Sequence, residues 1–135
     1  MKNKILLIMA VLGINTAIAQ STPTIIVINF NTECPNATPT WSSDDCNYRV
    51  EYLDKMDYTL RSIVYDKAGY ITRRDWKMDN NYPTRISDYY TAVYPNKPYA
   101  VWSSIDDYGR QSYYIIHDSE KIWFDKNGKT KNCTL

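Results

Sequence analysis

Apolar and polar positions change rhythm several times along the chain. Ile5 to Leu12 is an unbroken apolar run, and Ile25-Ile26-Val27-Ile28-Asn29-Phe30 is a short β-branched one with the look of a buried strand. Between Pro83 and Tyr94 the period is helical: Ile86, Tyr90 and Val93 share a stripe, with Tyr89 and Tyr94 at its margins. Pro83 suits a first helical turn and Pro95 ends the run. Short strand-like segments then follow at Tyr99–Ile105, Arg110–His117 and Lys121–Phe124. They are separated by Asp106-Asp107-Tyr108-Gly109, by Asp118-Ser119-Glu120 and, after the last, by Asp125-Lys126-Asn127-Gly128. Glycine and asparagine fall where turns require positive φ.

The same order occurs earlier in the chain, displaced by about 60 residues. Pro23-Thr24-Ile25-Ile26 matches Pro83-Thr84-Arg85-Ile86, and Cys34-Pro35-Asn36 matches Tyr94-Pro95-Asn96. Trp41-Ser42-Ser43 matches Trp102-Ser103-Ser104, Asp44-Asp45-Cys46-Asn47 matches Asp106 to Gly109, and Tyr65 to Gly69 matches Phe124 to Gly128. The small drift in offset is what short loop insertions produce. Carrying the register back converts the Ile25–Phe30 run into part of a helix over Pro23 to Glu33, with a stripe of Ile26, Phe30 and Cys34. Each helix is about three turns, too short to stand alone, so each must pack on a sheet. Strands are expected around Thr40 and at Tyr48–Leu53, Tyr58–Tyr65 and Tyr70–Lys77, with Asp79-Asn80-Asn81 as linker. The predicted fold class is α+β: two tandem helix–antiparallel-meander repeats, about 23–78 and 83–131, forming one curved sheet with both helices on one face.

Pro23, Ile26, Phe30, Cys34-Pro35-Asn36-Ala37 and Trp41, with the closing Phe124-Asp125-Lys126-Asn127-Gly128, resemble the PepSY-like, β-lactamase-inhibitor-like family. The resemblance runs from Pro23 to about Lys131. Cys34 stands where an aromatic is usual, and Lys97 where the second corner alanine is usual. What the resemblance implies is a curved sheet with an open concave face that grips a protein partner, together with a hairpin tip. A shared fold implies no activity of its own.

The amino terminus bears on compartment. Lys2 and Lys4, the apolar run, and Ala17-Ile18-Ala19 before Gln20 have the order of a secretory signal peptide over residues 1–19. The expected product, a single domain over 20–135, is exported to the periplasm or beyond, with no stable membrane insertion after cleavage. It retains 14 basic and 15 acidic side chains, a net charge of −1. With the densest basic pair only Arg73-Arg74, no nucleic-acid footprint is present and no nucleic-acid partner is expected. All 13 tyrosines and all four tryptophans lie in this part, suiting strands and half-wet surfaces. Three cysteines, Cys34, Cys46 and Cys133, leave every single disulfide pairing open, the shortest loop being Cys34 with Cys46.

The candidate chemistry is sparse. His117 is the single histidine, and beside a turn it reads as solvated rather than catalytic or metal-bound. Asp125 to Gly128 opens like a calcium loop but has no glutamate at the twelfth position. Neither cofactor nor metal is implied. Asp44-Asp45 and Asp106-Asp107 read first as turn residues bonding backbone N–H groups. An acidic tip of Asp106, Asp107 and Tyr108 entering a partner's cleft is the sharper alternative. If Ile122 and Phe124 face the helices, Trp123 faces away, and Trp41, Trp76 and Trp102 are grouped with it as open-face candidates. The expected function is a non-catalytic binding protein, inhibitor-like, engaging a protein partner through the open sheet face and hairpin tips. An aromatic glycan-binding surface is the alternative, and an enzyme ranks last.

Overall fold

The structure, a computed structural model, describes residues 21–131. The signal-peptide reading over residues 1–19, and Cys133, lie outside the described residues. The chain forms helix α1 (Thr24–Glu33), strands β1 (Thr40–Ser43), β2 (Asn47–Asp54), β3 (Thr59–Asp66) and β4 (Ile71–Met78), helix α2 (Thr84–Val93), then β5 (Val101–Asp106), β6 (Gln111–His117) and β7 (Glu120–Asp125). The seven strands form one antiparallel sheet in chain order. The junction between the repeats is the β4–β5 pair, from Arg73 opposite Asp106 to Met78 opposite Val101.

The helix over the isoleucine-rich segment forms against its β-branched composition. Pro23 holds φ at −55° and its carbonyl accepts from the Ile26 N–H at 3.0 Å, starting the first turn. At the other end the Cys34 N–H donates to the Phe30 carbonyl at 2.8 Å, and Pro35 cannot continue the helix. Propensity costs only tenths of a kcal/mol per residue. Completely burying Ile26 and Phe30 contributes about 1.5–3 kcal/mol each, so tertiary packing wins. Helix α2 repeats the design with Pro83, a Tyr94 N–H to Tyr90 carbonyl bond of 2.8 Å, and Pro95.

Each helix covers its own core cluster. Ile26 and Phe30 pack with Val50, Ile63 and Tyr65; Ile86 and Tyr90 pack with Val101, Tyr113, Ile115 and Phe124. The α2 stripe differs from the expectation at its last position. Val93 is 48% exposed, and Tyr94 packs inward instead, as Cys34 does in the first repeat. A spacing of four residues through Ile86, Tyr90 and Tyr94 keeps the stripe on the sheet, while Val93 rotates off it.

The turns after β3 and β7 lock each repeat shut. Asp66 Oδ1 accepts from the N–H groups of Ala68 and Tyr70, both at 2.9 Å, and Asp125 Oδ1 from Asn127 and Lys129, both at 2.9 Å. Gly69 and Gly128 close these turns at φ of +90° and +80°; Gly69 lies beside α1 near Ile25, Ile26 and Asn29, and Gly128 is seated tightly against the start of α2. The repeats differ at the end. The first has a full fourth strand, whereas after β7 the described residues show only the bridge between Phe124 and Thr130.

Candidate functional site

Both helices lie on one face, and among the described residues no element covers the other face of the sheet, which is concave. Arg49 on β2 donates from Nη2 to Tyr114 Oη on β6 at 3.1 Å. On a flat sheet those strands would stand four spacings apart, about 19 Å, so the sheet must curl toward this face. The register shift between Val64 and Tyr65 on β3 adds to that curvature.

At the centre of the concave face is Asp75 of β4, 2% exposed. Its Oδ1 accepts from Ser104 Oγ at 2.7 Å and Arg73 Nε at 2.9 Å. Its Oδ2 accepts from Tyr114 Oη at 2.9 Å and Arg49 Nη1 at 3.4 Å. Glu51 takes a further bond from Arg49 at 3.1 Å. Burial, and next the negative charge of Asp75, push the Tyr114 phenol well above its ordinary pKa, so it stays a donor. A buried carboxylate requires such full satisfaction.

Aromatic rings form the floor of this face and cations cover them. Trp102 stacks on Tyr114 with centroids 5.9 Å apart and a 5° interplanar angle, and Trp123 meets Tyr114 at 4.8 Å. Arg49 lies 5.6 Å over Trp102, Arg73 5.2 Å over Trp123, and Lys121 4.7 Å over Tyr114, all within cation–π range. Lys121 makes no ion pair or hydrogen bond among the described residues. Burial, with the charges of Arg73 and Arg49, pushes its amine down to about 8. A cleft of about 220 Å³ opens over these cations, walled by Ser42, Asp44 and Asn47 of the β1–β2 hairpin and by Arg49, Arg73 and Lys121.

The four tryptophans do not gather here. Trp123 and Trp102 are on the concave face, but Trp102 is only 4% exposed. Trp41 and Trp76 belong to the opposite, helix-bearing face, which corrects their grouping with Trp123. Trp41 opposes Val50 and packs edge-on to Phe30 at 5.5 Å, and Trp76 opposes Ser103. The physical reason is one residue of loop. Residues 34–39 join α1 to β1, whereas 94–100 join α2 to β5. The matching tryptophans therefore differ by one step of the pleat and point to opposite sides, and Val101 takes the inward place.

The acidic tip is partly engaged with itself. Asp106 Oδ1 accepts from the N–H groups of Tyr108 and Arg110 at 3.0 and 2.9 Å, and Oδ2 from Arg110 Nε at 2.7 Å. Those bonds, the Arg110 N–H first, lower the Asp106 pKa. Tyr108 is 79% exposed, with the Arg110 guanidinium 4.9 Å over its ring, and Asp107 faces solvent. Asp44 caps its turn in the same manner, accepting from Cys46 and Asn47 N–H at 2.8 and 2.7 Å.

Other residues change their reading. His117 is packed rather than solvated: its ring stacks on Tyr94 at 3.9 Å and its Nδ1 is 2.9 Å from Tyr90 Oη. Among the described residues Cys34 and Cys46 form no disulfide. Cys34 packs beside Tyr52 near the end of β2 while Cys46 immediately precedes its start, most of a strand away, beyond disulfide reach. Sequence reasoning passed over the β2–β3 hairpin, where Met56 is 92% and Tyr58 78% exposed. Beside it a hollow of about 600 Å³ lies against the α1–β1 corner. The signal was available: apolar residues within an Asp-rich turn, Asp54 to Tyr58. Among the described residues no three His, Cys, Asp or Glu side chains converge in a metal-binding group, and no helix is long and apolar enough to cross a membrane.

Neither a protein-family model nor a curated protein sequence matches the chain. Solved structures do match its fold. A protein assigned to the periplasm of Bacteroides eggerthii aligns with a TM-score of 0.60 at 12% identity, over 81% of this chain and 85% of that one. A DUF2874 family protein from Bacteroides uniformis aligns at 0.58 and 13% identity, over 81% and 86%. A BLIP-like protein from Bacteroides fragilis aligns at 0.50 and 12% identity, over 82% and 83%. At such identities the likeness establishes a BLIP-like α+β fold.

Proposed function

We propose that the chain is an exported, non-catalytic binding module, inhibitor-like in its mode of action, that engages a protein partner with the concave face of its sheet. The observation that carries this reading is the concave face, which no described element covers. Seven strands curl around a preorganised network of Asp75, Arg49, Arg73, Tyr114 and Trp123 while both helices pack behind. A rigid, half-desolvated surface of Tyr, Trp and Arg is the composition that dominates binding energy at protein interfaces. Asp107 and Tyr108 at the β5–β6 turn and Met56 and Tyr58 at the β2–β3 turn extend the contact from two ends of the sheet. The periplasmic assignment of one structural relative and the BLIP-like description of another support export and binding. Membership of the PepSY-like family is part of this proposal. Sugar stacking is disfavoured because the ring faces of Trp102, Tyr114 and Trp123 are already occupied by cations or by each other.

The test is capture of exported proteins on the immobilised chain, residues 20–135, followed by variants on each face. Trp123→Ala and Tyr108→Ala should abolish or weaken capture, while Ile25→Ser, on the 52% exposed outer side of α1, should not. Capture that survives the first pair and is lost with the third would overturn the proposal.

A further inference from the structure

The concave face carries a charge arrangement that its own fold does not complete. Arg49 is fully engaged, with Asp75, Glu51 and Tyr114. Arg73 gives only Nε to Asp75, leaving its two terminal NH₂ groups without protein partners among the described residues. Among the described residues Lys121 has no carboxylate within ion-pair distance. Its half-buried amine reaches over Tyr114 and Trp123 into the same cleft. Of the acids around it, Asp75 and Glu51 are already bonded by Arg49, and Asp44 at the rim directs Oδ1 into its own turn. The cleft is too small for a folded element but ample for one side chain.

We infer that the cleft between Arg73, Lys121 and Arg49 is a socket for an acidic side chain, an aspartate or glutamate on an extended segment of the protein partner. This rests on the concave-face reading above. The complementarity is specific: the free end of Arg73 presents the planar two-donor fork that matches a carboxylate, and Lys121 supplies a point charge from the facing wall. Asn47 and Ser42 at the lip offer further polar groups. Burial first, and then the charges of Arg73 and Arg49, lower the Lys121 amine against the opposing pull of Asp75 and Glu51, and an incoming carboxylate offsets both costs.

Random linear peptides displayed on phage, selected on the protein, provide the test. Aspartate or glutamate should dominate one position of the enriched peptides. Replacing that residue by its amide, or Lys121 by Met, should each weaken binding about tenfold, with Lys121→Arg restoring it. Lys121→Met removes no internal hydrogen bond, so folding is preserved, and a thermal melt verifies it. Enriched peptides that lack acids yet lose binding with Trp123→Ala would overturn the socket and leave the concave-face reading standing. Peptides indifferent to both Trp123→Ala and Lys121→Met, or no enriched peptides, would overturn both.

Discussion

Replacing Asp75 by alanine removes one carboxylate on which four donors converge. Ser104 Oγ at 2.7 Å and Tyr114 Oη at 2.9 Å are buried with it, and a stranded buried donor costs about 1–3 kcal/mol. Arg73 and Arg49, with side chains 25% and 16% exposed, lose their shared counter-charge. Breaking a buried pair from one side costs about 3–5 kcal/mol. These contributions overlap, because Arg49 and Tyr114 also bond each other and Arg49 keeps Glu51. We therefore expect a loss of about 3–5 kcal/mol rather than the sum, read as the urea midpoint of a two-state unfolding curve. At about 4 °C per kcal/mol for a domain of this size, the melting temperature falls by about 12–20 °C. Asp75→Asn, which keeps one acceptor oxygen, should lose less. A loss below about 1 kcal/mol for Asp75→Ala, with unchanged denaturant slope, would refute the view that this carboxylate organises the face.

Three further outcomes follow from the geometry. Lys121 titrates near 8 in the fold against 10.5 when unfolded, so between those values the unfolded chain binds more protons and stability rises with pH. Lys121→Met should therefore be more stable than the parent at pH 7, with an advantage that shrinks by pH 9.5; an advantage constant with pH would contradict the assignment. An alanine at Gly128 takes φ of +80° and puts Cβ 2.8 Å from Pro83 Cβ, whereas at Gly109, with φ of +76°, Cβ meets nothing within 4 Å. Gly109→Ala should cost about 1–2 kcal/mol and Gly128→Ala about 2–5 kcal/mol by denaturant titration, and equal costs would argue against helix α2 seating on that turn. Iodide should quench tryptophan emission more strongly than caesium, because Arg73 and Lys121 lie over Trp123, and Trp123→Phe should abolish the difference. An unchanged iodide–caesium ratio in that variant would place the exposed indole elsewhere.

How far the chain could be read without coordinates depended on the range of the interactions involved. Prolines 23, 35, 83 and 95 act on their own and adjacent φ angles, and the Asp66 and Asp125 turns close within five residues. The helices, the turns and the repeat were therefore legible as local chemistry, and the repeat resolved the Ile25–Phe30 run that propensity alone misassigns. Alternation placed Trp123 opposite Phe124. It could not place Trp41 against Trp102, because similarity between two segments tolerates a one-residue loop difference that a pleat of period two does not.

The concave face belongs to the other category. Basic residues that look scattered along the chain, Arg49, Arg73 and Lys121, converge only because twist, a bulge and six strand pairings curl the sheet. Adjacent Arg73 and Arg74 are sent to opposite sides, Arg74 to Glu33 of α1 and Arg73 to Asp75. Asp75 looks like any strand carboxylate until Ser104, Tyr114 and Arg49 close around it from strands up to 39 residues away. Sequence alone determined the elements, their order and the two-fold repetition, since those follow from backbone preference and short-range pattern. Tertiary structure alone decided which charges meet, since electrostatic contact depends on distances set by the curvature of the whole sheet.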